Sequence, residues 1–285
     1  MRRMHRGWAV LLTAVSLGLQ SQTGEQGRAS FSSELTAEII RLQIETVNRK
    51  DVLRYRMQKS DSHGTVVRDT IDTPDGTVAR LLLREGKALT TKENAAERER
   101  LTSLLSSTSE LRKKRKQEIS GRTLTSELVR VMPQAMLFSL HPGQPQLLNQ
   151  TEPQLVIDFT PNSNFHSGST AQQALTGLQG TMWISSADHH LIRMQGDIIR
   201  NTNFAWGLVA RVYPGGRLEL EQAPYAPGKY AYSRLTMDLT VREMMIKTVK
   251  VDSSLSASGF RLLPPGTTLA EAVHILLDTP VSVSP

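Results

Sequence analysis

The fold is decided by residues 180–263, GTMWISSADHHLIRMQGDIIRNTNFAWGLVARVYPGGRLELEQAPYAPGKYAYSRLTMDLTVREMMIKTVKVDSSLSASGFRLL. Within it Met182-Trp183-Ile184, Leu191 to Ile199, Leu208 to Tyr213, Arg217 to Gln222, Tyr230 to Val241 and Met244 to Asp252 are β-rich runs parted by turn residues. A parallel return needs a crossover of roughly a dozen residues or more, so runs this close can pair only as antiparallel hairpins. On Tyr230 to Val241, Ala231, Leu235, Met237, Leu239 and Val241 share one face, and Arg234, Thr236, Asp238 and Thr240 the other. Ile192, Met194 and Ile198 likewise alternate with Arg193, Gln195 and Asp197, and Met182 and Ile184 add to the apolar face. A wide sheet with one apolar face needs a cover.

Upstream segments offer that cover. Glu34 to Arg49 reads as a helix, with Leu35, Ile39 and Leu42 at helical spacing and Ser32 or Ser33 as its cap. A half-buried strand follows at Leu53, Tyr55 and Met57. Thr65 to Thr73 and Thr77 to Arg84 flank Pro74-Asp75-Gly76, where Pro presets φ and Gly takes a positive φ. Glu93 to Glu118 is a second amphipathic helix, built on Leu101, Leu104, Leu105 and Leu111, and Thr123 to Met132 a short third one ending before Pro133. His141 to Glu152 is a loop, Leu155 to Phe159 a strand, and Ala171 to Leu175 a helical turn. After Pro264-Pro265-Gly266 a tail remains, with a helical pattern over Thr268 to Leu277. The expected class is α+β, mostly antiparallel β: a curved, unclosed β-barrel (half-barrel) sheet covered on its concave face by helices. The expected division is a leader over 1–24, one domain over 30–263 and a C-terminal tail over 264–285.

The leader reading rests on basic Arg2, Arg3 and Arg6, an apolar run from Trp8 to Leu19 and a polar stretch after it, the order of a secretory signal peptide. The run is shorter than the roughly 20 apolar residues a membrane-spanning helix needs. Cleavage would lower the net charge from +7 to about +4. The sequence holds 0 cysteines, which excludes disulfides, thiolate chemistry and a lipid-bearing cysteine. Some 250 residues can bury a sufficient core without such staples. A periplasmic location follows, with the chain neither lipidated nor anchored by a transmembrane helix.

Few residues suggest chemistry. His189 and His190 are neighbours on a strand and point to opposite faces, so they share a metal poorly; at the start of a strand they read as solvated turn residues. His63 and His166 stand in loops, and Ser167 beside His166 lacks an ordered third partner. The sequence shows no HExxH, no GxSxG elbow and no phosphate-cradling glycine loop. The run Arg112-Lys113-Lys114-Arg115-Lys116 has no interleaved aromatic residues for base stacking, so it reads as a helix end where the dipole favours cations, or as a contact for anionic lipid or an acidic partner.

Gly177-Leu178-Gln179-Gly180-Thr181-Met182-Trp183-Ile184, then Leu191-Ile192-Arg193-Met194, the hairpin from Gly207 to Gln222 and the closing Gly259-Phe260-Arg261-Leu262-Leu263 follow a leading helix and a strand bearing Tyr55. Over residues 34–263 this pattern resembles the exported lipoprotein carriers of the LolA/LolB type and their RseB/MucB-like periplasmic relatives. The resemblance implies an unclosed antiparallel barrel wrapped over helices with a hydrophobic cavity between them.

The functional expectation is a non-enzymatic periplasmic protein that binds a lipid acyl chain or a lipidated protein in that cavity. Met182, Ile184, Ile192, Met194, Leu235, Met237 and Leu239 would contact the chain, and Arg112, Lys113, Lys114, Arg115 and Lys116 a partner or anionic lipid. The alternative is an envelope regulatory or scaffold module that binds another protein through the basic helix end and a sheet edge. Neither a cofactor, a metal nor nucleic acid is expected, peripheral membrane contact is, and the oligomeric state is left open.

Overall fold

The computed structural model describes residues 32–205, 209–243 and 247–279; the expected leader over 1–24 lies outside them. In chain order the elements are α1 (Ser33–Val47), β1 (Leu53–Asp61), β2 (Gly64–Thr73), β3 (Gly76–Arg84), β4 (Lys87–Ala88), α2 (Thr91–Ser106), α3 (Thr108–Ala135), β5 (Met136–Leu140), β6 (Gln154–Pro161), α4 (Thr170–Gln173), β7 (Leu178–Ser185), β8 (Leu191–Ile198), β9 (Thr202–Ala205), β10 (Val209–Val212), β11 (Arg217–Ala226), β12 (Lys229–Glu243), β13 (Lys247–Leu262) and α5 (Leu269–Asp278). Where one domain was expected, the chain forms two compact units, each from separate stretches. The first takes the chain up to Asn48 and Leu124–Asp252, the second Arg49–Thr123 and the chain from Ser253 onward.

In the first unit the strands lie side by side in the order β5-β6-β7-β8-β11-β12. Every pairing is antiparallel, as the short connections require. β12 is long enough to pair twice: Lys229 to Asp238 face β11, while Val241 to Glu243 face β10, which in turn pairs with β9. Ser32 caps α1, its hydroxyl accepting from the Leu35 N–H at 3.2 Å, and Thr36, Ile39, Leu42, Gln43, Thr46 and Val47 form the buried stripe.

In the second unit the order is β4-β3-β2-β1-β13, again antiparallel. Thr73 pairs with Gly76 across a two-residue Pro74-Asp75 loop, and Gly76 takes φ 138°, as the turn chemistry predicts. Among the described residues β4 and β5 are each bonded along one side only, so the sheet is unclosed. The mostly antiparallel, unclosed α+β architecture is thus as expected.

Two expectations fail here. The helices break at Ser107, not near residue 120, and α3 then runs unbroken to Ala135 through Pro133. Ser107 is a hinge between them: its backbone leaves the helix at φ −103°, ψ 86°. Its hydroxyl then accepts from the Glu110 N–H at 3.3 Å, restarting a helix. Pro133 falls in the last turn of α3, where the missing N–H costs a single bond.

The C-terminal segment is the second failure. The helix expected over Thr268 to Leu277 forms as α5, but as core rather than tail: Leu269, Ala272, Val273 and Leu276 pack with Val52, Ile71, Val78, Leu101 and Leu104 in the second unit. Buried Arg80 fixes the end of α5, donating from Nη1 to the Leu276 and Thr279 carbonyls at 2.7 and 2.9 Å. Its Nη2 donates to Asn94 at 3.2 Å. The final carbonyls of a helix lack intrahelical partners, and a buried guanidinium answers that need.

Candidate functional site

Directly opposed residues on paired strands share a side of the sheet, so the registers define the faces. One line crosses six strands: Leu140 faces Ile157, Ile157 faces Met182, Met182 faces Met194, Met194 faces Leu220, and Leu220 faces Leu235. A parallel line runs Phe138, Phe159, Gly180, Gly196, Leu218, Met237. Leu239 continues this face on β12, and Ile184 on β7. The structure therefore brings six of the seven expected residues, Met182, Ile184, Met194, Leu235, Met237 and Leu239, to one side.

Ile192 is the exception. The β7–β8 register slips between Trp183 and Ile184, so that Ile184 faces Leu191 instead of Ile192. The extra residue of this bulge turns Ile192 to the opposite side, where it packs with Val156 and Trp183 under Leu147. Strict alternation along a strand cannot see such an insertion.

The glycine pair is structural. A Cβ at Gly180 would lie 1.9 Å from the Gln195 carbonyl oxygen, so only glycine permits this approach of β7 to β8. The Gly-x-x-Gly-Thr-x-Trp signature is thus a strand-packing feature.

At the expected positions this side is covered: none of the six residues on it is more than 5 % exposed. Leu128, Val129, Met132 and Ala135 of α3 are buried in the same unit, beside the α1 stripe. The second half of α3 is joined to the end of α1 by Asn48, which donates to the Ser126 hydroxyl at 2.9 Å. α1 meets the sheet through a buried amide pair, Gln222 Nε2 donating to Gln43 Oε1 at 2.7 Å. That pair is half-made, because Gln43 Nε2 and Gln222 Oε1 are buried with no partner among the described residues.

A polar cluster missed in the sequence sits at the β7–β8 turn. His190 is buried rather than solvated, and its ring stacks on that of Tyr230 with centroids 4.2 Å apart. The Tyr230 hydroxyl donates to Asp188 at 2.9 Å. Burial raises the Asp188 carboxyl but is outweighed by hydrogen bonds from Ser185, Tyr230 and the His190 backbone, which hold it below the ordinary range. Burial, then donation to Asp188, pushes the Tyr230 phenol up to about 12. For His190, burial lowers the pKa against the pull of Asp188 and Glu45. His189 beside it takes φ 59°, an αL turn position. A Tyr some forty residues downstream gave no local signal for this cluster.

The other described histidines lie away from this cluster, His141 with Nδ1 2.8 Å from Asp158 Oδ1. His63 is 71 % exposed at its side chain, and His166 is exposed with Nδ1 3.0 Å from the Asn164 carbonyl. Ser169, near His166, caps α4 by accepting from the Gln172 N–H at 3.2 Å. Among the described residues no group of three or more His, Cys, Asp or Glu side chains could hold a metal ion.

The basic run lies in the first half of α3, in the second unit, with a long helix still ahead of it. The expected helix-end dipole therefore plays no part, since that effect is confined to the terminal turn. Arg112, Lys113, Arg115 and Lys116 are exposed and Lys114 is half-buried. Arg115 pairs with Asp75 at 3.0 Å, and Lys114 donates to the Thr77 carbonyl at 3.3 Å. An open groove of about 590 Å³ also lies in this unit, lined by Glu99, Thr102, Ser103, Leu105, Ser106 and His274, and none of the expected site residues borders it. No described helix is long and apolar enough to cross a membrane.

None of the known family models matches the sequence, and no curated protein does. Among solved structures, the chain is similar to a domain described as an outer membrane lipoprotein-sorting protein from Vibrio parahaemolyticus. The identity is 9 %, the TM-score 0.33, and the match covers 84 % of this chain and 96 % of that one. A likeness this loose carries no argument, and the architecture above rests on the strand pairings themselves.

Proposed function

We propose that the first unit binds the acyl chain of a lipid or lipidated protein against the apolar side of its sheet, as a periplasmic carrier without catalytic chemistry. The observation that carries this reading is the uninterrupted apolar line from Leu140 to Leu235, with Met182 and Met194 face to face at its centre. Met132, Met136 and Met237 are buried in the same unit. Methionine is unbranched and polarizable, so a surface rich in it repacks around a flexible guest. Burying about ten methylenes at ~0.8 kcal/mol each gives a driving force of useful size before entropic losses.

The six residues on this side are buried, so a chain must enter by displacing a cover, and α1 is the element held by the half-made amide pair. The test is uptake of a fluorescent fatty acid by delipidated protein, with native mass spectrometry of protein from an envelope fraction. Met237→Asp should reduce uptake. Met182→Leu with Met194→Leu should weaken it while leaving the unfolding midpoint nearly unchanged, since Leu–Met exchanges cost little stability. Folded, delipidated protein that takes up no fatty acid overturns the reading.

The alternative, a scaffold for another envelope protein, would use the one-sided edge of β5, where Leu137 is 46 % exposed. Loss of a co-purifying protein in Leu137→Lys, with fatty-acid uptake intact, would favour it.

A further inference from the structure

We infer that the solvent face of α3 between Arg112 and Ile119 is a docking site for an anionic lipid bilayer, with Ile119 as its apolar anchor. Ile119 is 51 % exposed, an apolar side chain left in water on a long helix. It stands three and four residues from Lys116 and Arg115, and seven from Arg112, so all four share one helical stripe. All three cations are exposed.

The run is unfavourable where it stands. Arg112 lies three and four residues from Arg115 and Lys116, and Lys113 three from Lys116; like charges at such spacing each cost a few tenths of a kcal/mol. Among the described residues Arg112 and Lys116 pair with no carboxylate, and Lys113 reaches Glu110 only at 3.9 Å. Arg115 has Asp75 at 3.0 Å, but neither the helix dipole nor local pairing answers Arg112 and Lys116. An anionic surface supplies the missing counter-charge, and the headgroup–acyl boundary is the environment that favours cations around one aliphatic side chain. An acidic protein would meet the charge but leaves Ile119 without a role.

The surface lies wholly within the second unit and does not depend on the acyl-chain reading: a chain that takes up no fatty acid would still dock. The experiment is co-sedimentation of the full chain with phosphatidylcholine vesicles, with and without phosphatidylglycerol. Binding should require the anionic lipid and weaken with salt. Arg112→Gln with Lys116→Gln should lower affinity on the order of 25-fold, at about fivefold per cation. Ile119→Ser should lower it about tenfold, and both variants should keep the circular dichroism of the parent, because every altered side chain is exposed. Absence of binding to anionic vesicles overturns the proposal, as does binding that survives both variants. Ile119→Ser that binds like the parent overturns the apolar anchor and leaves contact by charge alone.

Discussion

The side-chain amide of Gln144 takes both backbone polar groups of Val156: its Nε2 donates to the Val156 carbonyl at 2.8 Å and its Oε1 accepts the Val156 N–H at 2.9 Å. Two residues on, Gln146 does the same to Gln154, at 3.0 and 2.7 Å. Beyond the end of β5 these two side chains act as a substitute strand, hiding part of the β6 edge. The loop is pinned over the sheet by Trp183, whose indole N–H donates to the Pro145 carbonyl at 2.8 Å. Open strand edges invite pairing with other chains, and this one is covered without a further strand.

Gln144→Ala should therefore orphan the buried Val156 N–H, while the Val156 carbonyl keeps the His141 N–H at 2.9 Å. The expected loss is about 1–3 kcal/mol in urea unfolding, with increased light scattering at the midpoint. Unchanged stability and scattering would show that the loop is ornamental.

The Gln43–Gln222 pair predicts the opposite sign. Each amide is buried and satisfied on one side only, so replacing both by Met should raise the unfolding midpoint. If α1 is the cover that a guest displaces, the same double variant should slow fatty-acid uptake. Stability that falls instead would mean the amide bond is a net contributor.

His190 makes stability depend on pH. Burial holds its folded pKa below the unfolded value of about 6.5, so the unfolded chain binds more protons between the two. The His190 contribution is complete above the unfolded pKa and is lost as pH falls through the folded one. Asp188, also lowered, adds a loss of the same sign at more acid pH. His190→Phe keeps an aromatic ring against Tyr230 and should flatten the decline in Tm between neutral and mildly acid pH. A parallel decline in both proteins would assign it to other groups.

Arg80→Leu should detach the end of α5. It leaves the Leu276 and Thr279 carbonyls without their donor, at a cost of roughly 1–3 kcal/mol. Hydrogen exchange should report the loss, with amides of Leu269–Asp278 exchanging faster than those of the first unit. Protection that is unchanged in α5 would make Arg80 dispensable.

The antiparallel sheet was legible because its signals are local: apolar alternation on β12 and the turn at Pro74-Asp75 each lie within a few residues. The misplaced helix break had a local cue too, for Ser107 and Glu110 carry the spacing of a helix start, masked by the continuous leucine pattern from Leu101 to Leu111. Others had none. The turn of Ile192 to the other side follows from a bulge set by pairing, and the Asp188–His190–Tyr230 cluster from the return of β12 to the β7–β8 turn. The burial of α5 depends on partners such as Val52 and Ile71, far away in sequence. A tail and a core helix look alike when the surface they meet lies elsewhere in the chain.

The second unit draws β1 from near the start of the described chain, and β13 and α5 from near its close. A ribosome emitting this polypeptide releases β1 and β2 together, but β1 waits for β13 on its other side and the core waits for α5. Long-range closure of this kind is slow, so Val52, Ile71 and Val78 wait for α5 before their core is complete.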